Sequence, residues 1–528
     1  MVNQPAPAVG QASQLFDLQD SDGVNESERI LTALCRKSFL RLWSQTNVYT
    51  DEGFKDGKGA TKELCDALII FGNDVIIFSD KHITFQTEKA LKVAWARWYK
   101  RAVFESIKQL HGAKGWLQRF PERAYLDPQC TRRLPVAMPA GQDARFHLVA
   151  VTRGSRDVAI ANIGGLGSFL INTLVTGRGH EERPFTIGQP LPEKHFVHVF
   201  DEVSIELVMQ ELDTASDFVE YLRKREALLG SKMSDVLAPG EEELLAAYLI
   251  NMNEDESEHV FLPPIDVDEA PDTYTFGGDH FSHLNSEPAY LRKKQADLIS
   301  YQVWDKLIDN LIRYGDPTFL VKGLDQSLSE TERGLRLLAS ESRFRRRILS
   351  QSLIDAIERV GPGQRLGRLI YGGVPKETVY VFAVVPQMKG ESYAEYREYR
   401  TAILHAYVRT ARLRAPLGTV FVGIAVDNPH KEGRGGSEDI FVWMQETWTD
   451  EELHKLEVMR EKLGLWGDAM EYSRYRQDEF PQEDQFNPIQ RVPNARQVQR
   501  SHNSGAKREK NVRKMQKGSK RRNRRRKS

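Results

Sequence analysis

The stretch ELCDALIIFGNDVIIFSDK, residues 63–81, decides the fold. Residues 68–71 and 75–78 are short apolar runs of β-branched, aromatic and leucine side chains, and residues 72–74 between them read Gly-Asn-Asp. Two such runs around a tight Gly/Asn/Asp turn are typical of a β-hairpin. Because both runs are apolar at every position, the sequence predicts a hairpin that is buried on both faces.

Acidic side chains and a lysine stand at the open ends of the two predicted strands. Glu63 and Asp66 lie where the first strand begins, and Asp80 and Lys81 lie where the second ends. Carboxylates are ligands for hard cations, and a lysine ammonium binds phosphate as a point charge. These residues therefore form a candidate cation and phosphate site.

Their spacing resembles the catalytic hairpin of the PD-(D/E)xK, or restriction-endonuclease-like, nuclease superfamily. In that superfamily an Asp begins one strand, and a Glu or Asp, any residue and a Lys end the next. The resemblance covers roughly residues 25–125. It implies a mixed sheet flanked by helices and metal-dependent hydrolysis of phosphodiester bonds, with one or two Mg²⁺ held by the acids.

Carried over position by position, Asp66 matches the metal-binding Asp and Lys81 matches the motif lysine. The chain departs from the motif at Ser79, which stands where the superfamily has an acid, whereas the acid Asp80 is next to the lysine. Neighbours in a strand point to opposite faces, so Asp80 joins Lys81 only if a bulge intervenes. Either Glu63 or Asp80 completes the metal ligands with Asp66, or the fold persists with weakened or lost catalysis.

The helices predicted on either side of the hairpin carry further candidates. Asn25 and Glu28 have the spacing of a capping box, and the resemblance offers Glu28 as an acid of the first helix. Residues 88–110 predict a long helix after the hairpin, on which Gln109 resembles an accessory residue of several families in the superfamily. A cap role for Glu28 and a surface or cap role for Gln109 are the alternatives. The second helix also has a basic flank that would suit a phosphate backbone, formed by Arg97, Lys100, Arg101 and Lys108.

The whole chain of 528 residues is long enough for several domains, and its pattern predicts an α/β protein. A disordered leader (1–24) precedes the nuclease-like α/β domain (25–203), in which further strands are expected at 146–151, 158–163 and 196–200. A helical region with an acidic linker follows (204–329), and then a second α/β domain (330–476) whose strand-helix-strand order predicts parallel pairing. Residues 477–528 are predicted to be a linker and a disordered basic tail.

Two histidines, His195 and His198, alternate with apolar residues in one of these expected strands. This alternation favours a half-buried strand over a metal site.

The net charge of zero hides a strong asymmetry. Residues 496–528 contain fifteen Lys and Arg and a single acid, so the tail carries +14 and the rest of the chain −14. Runs of like charge tether a protein to polyanions, so nucleic acid, DNA or RNA, is the expected partner of the tail. A ribosome surface, the chain's own acidic body and anionic lipid are the alternatives.

Composition also bears on the compartment. No apolar run approaches the ~20 residues of a membrane span, and the N-terminal residues lack the basic start and apolar core of a secretory signal. Cys35, Cys65 and Cys130 show no CxxC spacing, which argues against a cysteine zinc site. We therefore expect a cytoplasmic protein without a membrane partner.

Two functions follow from this sequence. The first is a Mg²⁺-dependent nuclease of defence or repair, in which Lys81 assists at the phosphate. The second is a non-catalytic nucleic-acid- or ribosome-binding protein that keeps a nuclease-like fold. A third, weaker hypothesis is an interaction protein whose acidic body binds a basic partner.

Overall fold

The computed structural model of the chain describes residues 16, 18, 23, 25–53, 61–263, 271–314, 328–373, 376–430, 437–467 and 478–481. Most of the predicted leader, part of the acidic linker and the basic tail beyond residue 481 lie outside these residues. Within the described part, no helix combines the length and the apolar character needed to cross a membrane.

The described chain contains both strands and helices, with mixed sheets flanked by helices, which confirms the α/β class. The strands are β1 (Ser44–Thr50), β2 (Lys62–Phe71), β3 (Asp74–His82), β4 (Arg145–Arg153), β5 (Leu170–Thr176), β6 (Thr186–Gln189), β7 (Val197–Asp201), β8 (Asp235–Ala238), β9 (Thr273–Thr275), β10 (Leu366–Tyr371), β11 (Thr378–Val385), β12 (Val420–Asp427) and β13 (Glu438–Met444). The α-helices are α1 (Glu26–Trp43), α2 (Leu91–Tyr99), α3 (Glu105–Arg119), α4 (Arg156–Ile163), α5 (Glu202–Glu211), α6 (Ala215–Leu229), α7 (Glu241–Ile250), α8 (His280–Ser286), α9 (Pro288–Ser300), α10 (Lys306–Tyr314), α11 (Leu328–Ala339), α12 (Arg343–Arg359), α13 (Tyr393–Thr410) and α14 (Asp450–Leu463). One π-helical turn (Lys100–Phe104) joins α2 to α3, and another (Tyr301–Asp305) joins α9 to α10.

The hairpin predicted from residues 63–81 is confirmed. Strands β2 and β3 pair antiparallel from Ala67 opposite Phe78 to Phe71 opposite Asp74. Gly72 in the turn has a φ of 62°, in the left-handed region that glycine adopts without strain. Alternate residues of both strands enter two different apolar clusters, one on each face of the sheet.

The hairpin is the centre of a five-stranded sheet with the order β1-β2-β3-β4-β7. Strands β1, β2 and β3 are antiparallel neighbours, whereas β3, β4 and β7 are parallel. Helices α2 and α3 pack on one face, and α1, α5 and α6 pack on the other. The strands expected at 146–151 and 196–200 are therefore confirmed as β4 and β7 of this sheet.

The strand expected at 158–163 is wrong, because these residues form helix α4. Gly154 and Gly164, with φ of 91° and 78°, lie on either side of the helix, and Asp157 lies in its first turn. Its apolar residues Ile160 and Ile163 are exposed. The apolar residues at 158–163 favour a strand in the sequence, but most side chains of this segment lie outside the core of the folded chain.

The described residues between 204 and 329 are mainly helical, but they also contribute to a sheet that the sequence did not predict. Strands β8 and β9 join β5 and β6 in a four-stranded sheet with the order β6-β5-β8-β9. These strands have only three to seven residues. Such short segments carry little periodic signal, and their pairing depends on partners far away in the chain.

The second α/β unit has the order β10-β11-β12-β13, with β11 and β12 parallel as predicted. Helix α13 lies between these two strands in the chain and covers one face of the sheet. On the other face, a single apolar cluster continues from Phe382 and Ile424 through Trp304 to Leu31 of α1. The helical region thus packs between the two sheets, and both share its core.

We expect Phe78→Ala to lower the free energy of unfolding by about 3–5 kcal/mol, since a fully buried aromatic ring leaves a cavity when it is truncated. The ring is buried in β3 and stacks on Phe218 of α6 at a centroid distance of 6.4 Å. Urea unfolding followed by circular dichroism measures the change. Leu174→Ala, at a side chain that is 60% exposed, is the control and should have little effect; an equal loss in both variants would contradict the packing described here.

Candidate active site at the fork between β2 and β3

The two strands of the hairpin separate at its open end. Their ladder stops at the pair Ala67 and Phe78. Beyond it, β2 stays paired with β1 as far as Lys62, and β3 stays paired with β4 as far as His82. The result is a fork between β2 and β3.

Asp66 lies in this fork, where its side chain takes over a backbone role. Its Oδ2 accepts a hydrogen bond from the backbone N–H of Asp80 at 2.8 Å. A buried strand N–H needs an acceptor, and here the carboxylate replaces the missing carbonyl of the neighbouring strand. The divergence of the strands thus fixes the position of Asp66.

Asp80 and Lys81 point to opposite faces of β3, as the alternation of a strand requires. The β3–β4 register runs from Asp74 to His82 without a bulge. Ser79, which shares the face of Lys81, has its hydroxyl 3.3 Å from both Ser106 Oγ and Gln109 Oε1 of α3. The bulge that would have turned Asp80 toward Lys81 is therefore absent from this described strand.

Asp80 is instead held on the other face by Arg153. The Nε of Arg153 donates to both carboxylate oxygens at 3.0 Å, and the two side chains are only 1% and 5% exposed. Burial raises the pKa of Asp80, and the guanidinium opposes that rise. The carboxylate of Asp80 is therefore already paired on the face opposite Lys81.

The acids that gather around Asp66 are Glu63 of β2 and Glu28 in the first turn of α1. Burial raises the pKa of Asp66 to about 7; the Asp80 N–H opposes the rise, and the charges of Glu63, Asp80 and Glu28 add to it. Burial and the charge of Glu28 also raise the pKa of Glu63. Like charges placed together at a half-buried position are costly unless a cation shares them.

Lys81 and Gln109 complete the fork on the α3 side. Burial lowers the pKa of Lys81, whereas the nearby charges of Asp66 and Glu105 raise it. Gln109 lies one turn beyond Glu105 on α3 and receives the Ser79 hydroxyl. Of the five residues expected at the site, Glu63 and Lys81 interact with Asp66 through their charges, and Gln109 is linked to β3 through Ser79. The carboxylate of Asp80 is turned to the other face, where it pairs with Arg153.

Next to the fork is an open cavity of about 310 Å³. Helix α2 and the π-helical turn supply Arg97, Lys100 and Arg101 to its wall, and Glu105, which also acts on Lys81, lies at its edge. The basic flank of this helix was predicted from the sequence. The position of this basic flank beside the fork was not predicted, because it depends on the path of residues 83–90 between β3 and α2.

Sequence reasoning missed Arg153 and Ser106, the partners of Asp80 and Ser79. Arg153 is 73 residues from Asp80 in the chain, and no local pattern joins them.

Comparisons of the chain with models of protein families, with curated proteins and with solved structures found no match. The function has to be argued from the geometry of the fork.

We expect Asp66→Asn to stabilise the metal-free protein at pH 8 and to leave it nearly unchanged at pH 4. The pKa of Asp66 is about 7 in the folded chain against an ordinary value of 3.8, so its bound proton favours folding at low pH, and this contribution is lost as the pH rises to 7. The variant, which has no charge to bury, should gain about 2–4 kcal/mol over the wild type above pH 7.

Thermal unfolding between pH 4 and pH 8 with a chelator present measures this difference. Asp127→Asn is the control of opposite sign, because burial raises the pKa of Asp127 but the backbone N–H donors of Gln129, Thr131 and Arg132 and the Thr131 hydroxyl together outweigh it and hold that pKa low. A difference between Asp66→Asn and the wild type that does not change with pH would contradict a raised pKa.

Proposed function

We propose that this protein hydrolyses phosphodiester bonds of nucleic acid in a metal-dependent reaction at the fork. The observation that carries the proposal is the divergence of β2 from β3, which leaves the Asp66 carboxylate in the fork near the charge of Lys81, while Ser79, on the Lys81 face, contacts Gln109. The resemblance to the PD-(D/E)xK superfamily implies a mixed sheet flanked by helices, and the hairpin lies at the centre of a sheet of this kind, which is consistent with the proposal.

The donor set of the fork fits Mg²⁺. This ion prefers carboxylate oxygens, and it commonly uses only one or two of them together with water and substrate phosphate. Asp66, with Glu63 and Glu28, would hold it, and the mutual repulsion that raises the pKa values of Asp66 and Glu63 is what a cation would relieve. When bound, the ion supplies a Lewis acid that lowers the pKa of water and neutralises charge on the phosphate.

The chain's own side chains would position the substrate. The ammonium of Lys81, half-buried between Asp66 and Glu105, is suited to a phosphate oxygen that gains negative charge during cleavage. The side-chain oxygen of Gln109 accepts from Ser79, which leaves its amide nitrogen to donate to the substrate. Ser79 itself orients Gln109 instead of ligating a metal.

Binding of the flanking nucleotides is assigned to the basic wall of the neighbouring cavity. Arg97, Lys100 and Arg101 surround a space of about 310 Å³ beside the fork. Phosphate contacts of this kind fix the position of a nucleic acid without reading its sequence. We therefore expect cleavage with little base specificity.

We expect Lys81→Met and Asp66→Asn each to reduce metal-dependent cleavage by about 100-fold or more, the scale at which loss of a charge-stabilising or acid-base group is felt. The assay uses end-labelled single-stranded DNA, duplex DNA and RNA with Mg²⁺ or Mn²⁺. Lys455→Met is the matched control, since Lys455 is an exposed lysine on α14, paired with Glu451 and remote from the fork. Full cleavage by both fork variants would place the reaction elsewhere.

A second candidate function, nucleic-acid binding without catalysis, is favoured by one specific observation. The acid expected two residues before Lys81 is Ser79, and Asp80 is already neutralised by Arg153 on the far face of the sheet. In this case neither the wild type nor the variants would cleave, although salt-sensitive binding would remain.

Under either function we assign nucleic-acid binding in part to the basic tail, which lies outside the described residues. Ending the chain at residue 495 removes fifteen basic residues and should weaken binding to all sequences alike, by about tenfold or more at low salt. It should also flatten the dependence of log K on log salt, because fewer counterions are released. A tail of shuffled sequence and equal composition should bind like the wild type; a change of sequence preference on truncation would contradict the tether.

A further inference from the structure

A second polar cluster lies in the first sheet, far from the fork. It consists of His147 on β4, His198 on β7 and Glu226 on α6, and one ligand atom of each lies within 4.8 Å of those of the other two. No other such group of three His, Cys, Asp or Glu side chains is found in the described part of the chain. His147 contacts Asp74, the first residue of β3. Asp74 lies about 20 Å along that strand from Asp80.

The two histidines are buried, and each keeps one ring nitrogen without a hydrogen-bond partner. His147 is 4% exposed and His198 is fully buried. The nitrogens in question are Nδ1 of His147 and Nε2 of His198. Buried polar atoms are rarely left unpaired, so two of them in one cluster point to a group that binds there.

The surroundings prepare His147 in particular to act as a ligand. Its Nε2 is 2.9 Å from Oδ1 of Asp74, a carboxylate that only accepts, so Nε2 carries the proton and Nδ1 presents its lone pair. A carboxylate behind a histidine is the usual outer contact of a metal-binding imidazole. Asp74 is itself held by Arg145 and Arg223 at 2.9 and 2.7 Å.

His198 imposes one requirement on binding. Its Nδ1 lies 3.4 Å from Nη1 of Arg225, and this long contact is lost if Nε2 binds a cation and the proton moves to Nδ1. Arg225 retains its two stronger bonds, at 2.7 and 2.8 Å, to the carboxylate of Glu241. The cost is therefore confined to one weak contact.

One of the three side chains faces solvent. Glu226 is half-buried and lines a cavity of about 390 Å³ beside the edge strand β7, together with Pro192, Lys194 and His195. The cavity brings solvent to the Glu226 carboxylate, whereas His147 and His198 do not belong to its lining.

We propose that His147, His198 and Glu226 form a Zn²⁺ site that is separate from the fork and ties α6 to β4 and β7. Two imidazoles and a carboxylate are a donor set typical of zinc with one open position, whereas Mg²⁺ prefers oxygen alone. Small movements of the three side chains bring their ligand atoms to the distances of about 2.0–2.2 Å that zinc requires.

The test is a titration of the full-length, chelator-treated chain with Co²⁺, whose visible absorption reports coordination, followed by displacement with Zn²⁺. One Zn²⁺ per chain is expected, with a thermal stabilisation that grows with Zn²⁺ concentration. Glu226→Gln and His147→Gln should weaken binding by about 100-fold or more, and Asp74→Asn by about 10–100-fold. Glu226→Gln changes a half-buried, nearly isosteric side chain, so it keeps the test valid if the histidine variants fail to fold.

His195→Gln is the matched control, since His195 lines the same cavity but its Nε2 is held by the carbonyl of Phe146 at 2.8 Å. It should bind Zn²⁺ like the wild type, and so should Asp66→Asn, which separates this site from the fork. Absence of the Co²⁺ spectrum, or an unchanged spectrum in Glu226→Gln, would overturn the proposal, the first leaving a bridging water as the explanation of the unpaired nitrogens.

Discussion

Burial of one hairpin on both faces is the constraint from which the rest of this structure follows. Strands β2 and β3 have no face open to solvent along their paired length, so every polar group at their ends needs a partner within the protein. Where the two strands part, the Asp66 carboxylate supplies the acceptor that the ladder no longer provides. The same event that ends the pairing creates the acidic fork, so the site is a consequence of the fold.

Several buried carboxylates elsewhere in the described chain are matched by opposite charges. Asp74 meets Arg145, Arg223 and His147, and burial alone would raise its pKa, yet these partners hold it well below its usual range. Residues 478–481 contact the helical region through an ion pair of the same kind and an aromatic contact. Lys293 and His259 hold the pKa of the buried Glu479 at about 2, and Phe480 stacks on Tyr290. Such pairs fix where segments lie, since an unpaired buried charge is expensive.

The sequence allowed the prediction of elements whose signal is local and strong. The hairpin, β4, β7 and the parallel pair β11 and β12 were all expected from apolar runs and turn residues. Helix α4 was not, because a run of six residues does not distinguish an exposed helix from a buried strand. The short strands of the sheet β6-β5-β8-β9 were not predicted, because their pairing depends on partners that are distant in the chain.

The residues of the candidate site also divide into those that a local motif predicts and those whose partners are distant in the chain. Asp66, Lys81 and Gln109 could be named because a motif spaces them along two strands and a helix, and the alternation of a strand correctly warned that Asp80 and Lys81 diverge. The sequence could not predict the Asp80–Arg153 ion pair, which spans 73 residues. It also could not predict that His147 and His198 lie close to Glu226. His198 was expected to be an ordinary strand residue, since neither of its neighbours in the cluster lies near it in sequence.

Asp66 and Asp80 differ in the partners of their carboxylates. Both are largely buried and belong to the same hairpin, and burial raises the pKa of each. Asp80 has a guanidinium against both of its oxygens, so its charge is already balanced. The charges of Glu63, Asp80 and Glu28 add to the effect of burial on Asp66, and the ammonium of Lys81 is the opposite charge that interacts with it. Like charges gathered around a largely buried carboxylate carry a cost, and a cation bound there would reduce it.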